Sequence, residues 1–410
     1  MKTNQRHSLT VLRAVCAAAG LAAVGGLAHA QISDDTVRIG LMGDLSGPYS
    51  GNGGPGSVLA ARMAIEDFGG KVNGKSIELL TADDQNKPDV GLNAARKWLE
   101  TEKVDAIVGG SASSIALGVQ TLMKEKQKPY LIAGTVTADL TGKACSPMAF
   151  QFLVDTYSLP KAGVRTLLDK GAKTFFFVTV DYAFGAALQA EATRFIEQGG
   201  GKVVGSVKHP LGATDFSSYL LQAQSSGAKA IVILNAGLDL SNALKQAAEF
   251  GITKGGQNLA GLLVFLPDVH GLGLATAQGL IFTETFYWDL NDSTRAWSKR
   301  FAAANGGKYP SSDHAGVYAV VLHYLKAVEA AKTDDGTKAV AQMKALPTDD
   351  PLFGKGTIRA DGRKLHPAYL FEVKKPNESK GPYDYYKVRA TIPADQAFRP
   401  LKDGECPLVK

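Results

Sequence analysis

Two stretches of this 410-residue chain carry the letters of phosphate-binding chemistry. Gly69-Gly70-Lys71-Val72-Asn73-Gly74-Lys75-Ser76 fits the pattern G-x-x-x-x-G-K-[ST]. A phosphate cradle of that kind needs a strand before the loop and a helix after it, so that the helix N-terminus faces the phosphates. Here a helical pattern precedes the loop and a strand pattern follows, so the stretch reads as a glycine-rich helix-to-strand turn. Gly51-Asn52-Gly53-Gly54-Pro55-Gly56 fits G-x-G-x-x-G and does lie between a strand and a helix. The strand pattern ends near Met42, however, whereas a dinucleotide fingerprint puts its glycines in the tight turn itself. This segment reads instead as a longer ligand-contact loop opening onto a helix N-terminus.

Catalytic and metal-binding patterns are otherwise missing. The sequence holds neither H-E-x-x-H nor G-x-S-x-G. Beyond the first thirty residues the histidines are His209, His270, His314, His323 and His366, and none has metal-ligand spacing. The acidic pairs Asp83-Asp84 and Asp349-Asp350 have no nucleophile or base beside them. Nothing implies a cofactor or a metal.

The elements that would position a site alternate between strand and helix. Apolar, β-branched runs at Thr36–Met42, Ser76–Ala82, Asp105–Val108 and Pro129–Ile132 are interleaved with amphipathic stretches at Ser57–Phe68, Asp89–Thr101 and Ser114–Lys124. A second series starts near Lys173. It has strands at Thr174–Val180, Lys202–Val207, Ala228–Leu234, Gly261–Phe265 and Gly279–Phe282, and helices at Phe184–Gln198, Asp215–Ser225 and Asp239–Glu249. Alternation of this kind predicts doubly wound parallel sheets. Two series parted by an irregular stretch, Thr137–Leu159, predict two α/β lobes. Helices at Ser293–Asn305, Asp313–Lys332 and Thr337–Leu346 follow with no strand between them, so they must dock on an earlier lobe. Short strands near Gly356–Ile358 and Tyr369–Val373 precede a polar tail. A chain crossing between lobes more than once makes a multi-stranded hinge suited to closing on a ligand.

In open α/β sheets a ligand sits beyond the carboxyl ends of the strands. Those ends carry Gly109-Gly110-Ser111-Ala112-Ser113-Ser114, Ala133-Gly134-Thr135-Val136-Thr137, Asp181-Tyr182-Ala183-Phe184-Gly185, Asn235-Ala236-Gly237 and Pro267-Asp268-Val269-His270. The first two offer hydroxyls and accessible backbone N–H groups, which hold a carboxylate without a basic side chain, although a serine there also serves as a helix N-cap. The others offer aromatic faces, an amide and an acid. Together they describe a cleft for a small polar-headed molecule with an apolar body.

The chain opens with a leader pattern. Lys2, Arg6 and Arg13 are followed by an apolar run from Ala14 to Leu27 and by Ala28-His29-Ala30, the layout of a secretory signal peptide cut after Ala30. The run is too short to span a bilayer, so the expectation is a soluble exported protein starting near Gln31. The formal charge of +6 falls to +3 without the leader's three basic residues, and no Lys/Arg run points to nucleic acid. Cys145 and Cys406 remain; a disulfide and two buried thiols are both open readings.

At this point the chain resembles the type I periplasmic binding proteins of ABC importers, in the leucine/isoleucine/valine-binding branch. The resemblance spans nearly all of the mature chain. It is carried by VRIGLMGDLSGPY (Val37–Tyr49), ARMAIEDFGG (Ala61–Gly70), VDAIVGGSASS (Val104–Ser114), DYAFG (Asp181–Gly185) and FYWDLNDSTRAWSKRF (Phe286–Phe301). It implies two Rossmann-like lobes joined by a three-crossover hinge, with the ligand cleft between them and no chemistry performed. The expected division is 31–153 with 285–353 for one lobe, and 154–284 with 354–410 for the other. By the same resemblance Ser113 and the Thr135–Thr137 segment hold a ligand carboxylate, Tyr182 is the aromatic cleft residue, and Asp268 stands near the partner of a ligand ammonium. Asn52 belongs to the loop after the first strand; Ser111 and Asn235 complete the expected contact set. The segments Leu140–Pro147 and FYWD are similar to members that take up aromatic carboxylates. The implied protein is a periplasmic monomer that passes a benzoate- or cinnamate-like acid, or a hydrophobic amino acid, to inner-membrane permease subunits. The rival readings are a periplasmic enzyme using a glycine loop for a nucleotide cofactor, and a ligand-sensing partner of a membrane receptor.

Overall fold

A computed structural model describes residues 32–409. The leader expected over 1–30, and its cleavage after Ala30, lie outside the described residues. A six-stranded sheet contains β1 (Thr36–Gly43), β2 (Lys71–Val72), β3 (Lys75–Asp83), β4 (Ala106–Gly109), β5 (Tyr130–Ile132) and β6 (Ala149–Gln151), in the spatial order β2-β3-β1-β4-β5-β6. All pairings are parallel except β2 with β3. The helices α1 (Gly54–Phe68), α2 (Pro88–Lys97) and α3 (Ser113–Glu125) connect its strands. The P-loop look-alike is the β2–β3 hairpin: Asn73 (φ +50°) and Gly74 (φ +80°) make its two-residue turn, the pairing that a right-twisted hairpin favours.

The second sheet has four parallel strands, β7 (Thr174–Val180), β8 (Lys202–His209), β9 (Ala230–Leu234) and β10 (Asn258–Gly261), in the order β10-β9-β7-β8. Its helices include α4 (Ser158–Asp169), α5 (Ala183–Gln198), α6 (Ser217–Ser225) and α7 (Gly237–Glu249), with the short α8 (Leu266–Leu272) and α9 (Leu274–Ala277) beyond β10. Both series expected from the sequence therefore form sheets. Three elements differ from the expectation, the first being the strand foreseen at Gly279–Phe282, which pairs antiparallel with a later strand instead of joining this parallel sheet. α4 is absent from the periodicity reading because Pro160 and Gly163 interrupt it, yet Pro160 stands in the first turn, where no intrahelical donor is lost. The last strand of the second sheet ends at Gly261, because Pro267 opens α8.

After β11 (Ile281–Glu284) the chain returns to the first sheet with α10 (Asp292–Ala304), α11 (Ser312–Ala331) and α12 (Gly336–Ala345). α11 is buried along nearly its whole length and packs in the core formed by β1, β4, β5 and α1. β12 (Thr348–Asp350), β13 (Gly354–Ile358) and β14 (Lys364–Leu365) form a small antiparallel sheet whose Ile358 lies in that first core. β15 (Ala368–Val373) then pairs with β11 and with β16 (Tyr386–Ile392), and Phe371 and Val373 lie in the second core. The tail expected to be merely polar thus contributes a strand. The chain passes between the sheets after β6, after β11 and between β14 and β15.

Fully buried charges pin these passages together. Arg363 donates to Asp155 Oδ2 at 2.6 Å, to the Gln151 side chain and to the Leu153 carbonyl. Lys364 donates to Asp350 Oδ2 at 2.9 Å between the rings of Phe152 and Phe353. His366 Nε2 meets the Phe152 carbonyl at 2.6 Å. A disulfide joins Cys145 to Cys406, which ties the segment after α13 (Ala394–Ala397) to the loop between β5 and β6. No helix among the described residues is long and apolar enough to cross a membrane.

Candidate functional site

The strand orders fix where a ligand can sit. In the first sheet the chain leaves β1 toward the β3 side and leaves β4 the opposite way toward β5, so the connections after these neighbouring strands diverge. In the second sheet β7 has β8 on one side and β9 on the other. Such switch points open a crevice at the strand ends. Here the two crevices share one cavity. Its first wall comprises Leu41, Met42 and Gly43 of β1, Gly109 with Gly110 and Ser111 beyond β4, and Ala133 and Gly134 beyond β5. Tyr182 and Phe184 beyond β7, Ala236 beyond β9, and Leu263 and Phe265 form the other wall. Gly109 (φ +92°) is required: a Cβ there would stand 2.2 Å from the Met42 carbonyl oxygen.

Two helix N-termini open onto the cavity. α1 begins at Gly54, with Asn52, Gly53, Gly54 and Ser57 in the lining; α3 begins at the lining residue Ser113. No side chain caps the first turn of either helix. Unsatisfied N–H groups and the positive end of the helix dipole make such positions favourable for an anion. The Ser113 hydroxyl is buried and makes no hydrogen bond to another described residue.

The residues expected from the sequence divide into two sets. Ser113, Ser111, Asn52 and Tyr182 line the cavity. Ser111 is already engaged, since its N–H and hydroxyl both donate to Asp84, at 2.9 and 2.5 Å. Thr135, Thr137, Asn235 and Asp268 are buried but do not line the cavity. The Thr135 hydroxyl donates to the Gly110 carbonyl, fastening two cavity loops together. Thr137 Oγ1 accepts from the Asp139 N–H at 3.3 Å as a helix cap. Asn235 Nδ2 lies 3.1 Å from His209 Nε2. Asp268 accepts from the Phe265 N–H (2.9 Å) and from Asn52 Nδ2 (3.2 and 3.4 Å). Burial pushes its carboxyl up to about 7 against those hydrogen bonds.

Sequence reasoning missed five polar or aromatic lining residues: Asp44, Tyr49, Ser57, Phe265 and Asp313. Asp44 and Tyr49 stand in the D-L-S-G-P-Y run after the first strand, where their placement beyond a strand end was a usable signal. Asp44 accepts from the Gly47 and Tyr49 N–H groups and from Asn86 Nδ2. Asp313 lies in the first turn of α11, far from any strand end, and no local pattern marked it.

The walls touch across the cavity mouth. The Tyr49 and Tyr182 hydroxyls are 2.7 Å apart, the Leu238 N–H donates to the Pro48 carbonyl at 3.1 Å, and Asn52 reaches Asp268. Burial, then the neighbouring phenol, raises the Tyr49 hydroxyl well above its ordinary value, so both tyrosines are neutral hydrogen-bonding groups at physiological pH. Among the described residues no Lys, Arg or His lines the cavity, and no group of three His, Cys, Asp or Glu is placed to hold a metal ion. The site can bind and enclose; it assembles no nucleophile–base pair.

The sequence profile of the periplasmic binding protein family matches residues 36–381. Leu/Ile/Val-binding protein homolog 6 of Brucella abortus is 26% identical over 372 residues, covering 87% of this chain and 92% of its own length. The crystal structure of a periplasmic binding protein from Burkholderia mallei superposes with a TM-score of 0.89 at 47% identity, over 92% of this chain and 100% of that one. A branched-chain amino acid ABC transporter periplasmic ligand-binding protein from Burkholderia xenovorans superposes with a TM-score of 0.80 at 41% identity, over 91% and 100%.

Proposed function

The chain belongs to the periplasmic binding protein family, in its leucine/isoleucine/valine-binding branch of substrate-binding proteins rather than enzymes, and from that membership we propose that it captures a small organic carboxylate and hands it to an inner-membrane permease. The ligand is a hydrophobic amino acid or an aromatic acid, held between two lobes that close on it, and the working unit is an exported monomer that docks transiently on the importer. One observation carries the ligand class: two uncapped helix N-termini and the free Ser113 hydroxyl converge on one cavity with no basic side chain. That arrangement holds a carboxylate through N–H groups and a hydroxyl. The apolar wall of Phe184, Leu263, Phe265 and Val317 receives the rest of the molecule.

We divide the lobes as 32–153 with 285–365 and 154–284 with 368–409. This division differs from the 353/354 boundary expected from the resemblance, and what supports it is that β13 pairs with β12 and β14 and that Ile358 packs in the first core.

A thermal-shift screen of the mature protein against amino acids and aromatic carboxylates tests the ligand class. A ligand at a hundredfold excess over its Kd adds about 2.7 kcal/mol to the folded state. Calorimetry on Ser113→Ala then tests the site, with an expected loss of about 0.5–3 kcal/mol in binding. An unchanged Kd in a folded variant removes Ser113 from the site.

A further inference from the structure

Asp313 is the one acid in the cavity wall without a partner. Of the two carboxylates lining the cavity, Asp44 has its oxygens filled by two backbone N–H groups and Asn86. Asp313 is 7% exposed, and its Oδ1 is buried with no hydrogen bond. Its carboxylate faces the loop that the first sheet offers to the ligand: a Cβ on Gly134 (φ +94°) would meet Oδ2 at 3.3 Å. The absence of a side chain at Gly134 is what leaves that approach open.

Among the described residues no basic side chain lines the cavity to neutralise it. The adjacent imidazole, His314, points away; its Nδ1 accepts from the Ser311 N–H at 3.0 Å, so Nε2 carries the proton and donates to the Gly53 carbonyl at 2.8 Å. The ring is thereby fixed neutral, and burial pushes its pKa down to about 4. The other groups around Asp313 are acids. Asp268 comes from α8 and Glu284 from the end of β11, and both couple to it electrostatically. Asp44 stands on the loop after β1. A buried carboxylate is retained where it finds a counter-charge and hydrogen bonds; left unpaired it is costly.

Building on the carboxylate-binding reading above, we infer that Asp313 is the specificity residue of the cleft, accepting a hydrogen-bonded ammonium on a ligand whose carboxylate lies at the α1 and α3 N-termini. Asp268 does not fill that role, since its oxygens are spent on its own helix start and on Asn52. Wherever Asp268, Glu284 and Asp313 ionise they repel a bare carboxylate, whereas a zwitterion brings its own compensating charge. Burial, then Asp268, pushes the Asp313 carboxyl up to about 8. A bound ammonium favours the ionised form, so binding near neutral pH expels a proton. Affinity accordingly rises with pH up to about 8, and levels off there until the ligand amine itself deprotonates.

The test uses the mature protein and three matched probes in calorimetry: L-leucine, 4-methylpentanoate, which lacks only the amino group, and benzoate. Leucine is run from pH 6 to 9 in two buffers of different ionisation enthalpy. Leucine is expected to bind at least tenfold tighter than either acid at pH 7, with release of close to one proton. The near-isosteric Asp313→Asn should lose at least tenfold for leucine and abolish the proton release, while still unfolding in a single cooperative melting transition. Two results overturn the inference: 4-methylpentanoate or benzoate binding as tightly as leucine, or Asp313→Asn binding leucine unchanged. In either case the carboxylate-binding reading survives. If none of the three binds the wild-type protein at millimolar concentration, that reading falls and the inference with it.

Discussion

The hydroxyl pair Tyr49–Tyr182 joins the two walls of the cavity at 2.7 Å, and its removal tests whether closure depends on it. Tyr49 comes from the loop after β1 and Tyr182 from the loop after β7, so no bond between them survives when the walls part. Both hydroxyls are then hydrated, and the bond's net worth falls entirely on the closed state. A net intramolecular hydrogen bond contributes about 0.5–1.5 kcal/mol. Tyr49→Phe or Tyr182→Phe should therefore raise the Kd of whichever ligand the screen identifies by about two- to twelvefold. The ligand-free protein should also expand in small-angle X-ray scattering as the open form gains population. Tyr182 lines the cavity as well, so a single variant could act through ligand contact alone, and the double variant separates the two. If the bond is the cause, Tyr49→Phe/Tyr182→Phe is no weaker than the worse single variant, and the cycle shows a coupling of about 0.5–1.5 kcal/mol. Costs that add to within about 0.3 kcal/mol, with unchanged scattering, refute the reasoning.

Three further outcomes follow from buried charge and covalent linkage. The carboxyls of Asp268 (about 7) and Asp313 (about 8) hold protons in the fold that the unfolded chain has already released, so their contribution to ligand-free stability should fall as pH rises from about 4 to about 8 and level off above; chemical denaturation from about pH 6.5 to 9 checks the fall and the plateau, and Asp313→Asn should flatten the slope. Below about pH 6.5 the buried histidines act in the opposite sense: His314 and His323 (about 4) and His366 (about 3) stay neutral in the fold while the unfolded chain takes up protons, so their contribution to stability is lost on acidification and rises again toward pH 6.5. Arg363→Met leaves Asp155 buried without its cation, and should cost about 3–5 kcal/mol in a denaturant titration. Cys406→Ser opens a covalent loop closed across 261 residues of sequence, with an expected loss of about 2–5 kcal/mol in the same assay.

Much of the frame was written in short windows of sequence. The run Thr174–Val180 is a strand with the bounds its β-branched and aromatic residues indicate, and Asn73-Gly74 makes a hairpin turn because both positions tolerate positive φ. Strand ends followed by Gly109-Gly110-Ser111 and Asp181-Tyr182 located both crevices, since ligand sites in such sheets follow from strand order. Periodicity was a poorer guide where the reason for a residue lay elsewhere in the chain. α4 holds Pro160 and Gly163, yet it is helical because Leu159, Val164, Leu167 and Leu168 pack with the apolar residues of β7 and α5.

Which polar groups remain available to a ligand was decided only by the tertiary structure. Ser113 and Thr135 look alike as hydroxyls beyond strand ends, but the Gly110 carbonyl consumes Thr135 and nothing consumes Ser113. Asp268 looks like a free acid until α8 and Asn52 fill its oxygens. Asp313, 45 residues further on, becomes the unpaired one because α11 threads the first core and brings it against Gly134. The pairing of Cys145 with Cys406, left open by the sequence, depends on the tail returning to the β5–β6 loop. Strand, helix and turn preferences arise within a few residues of each position, so the chain alone determined them. The partner of a hydroxyl, a carboxylate or a thiol is whatever the fold carries to it from hundreds of residues away, and only the closed structure selects it.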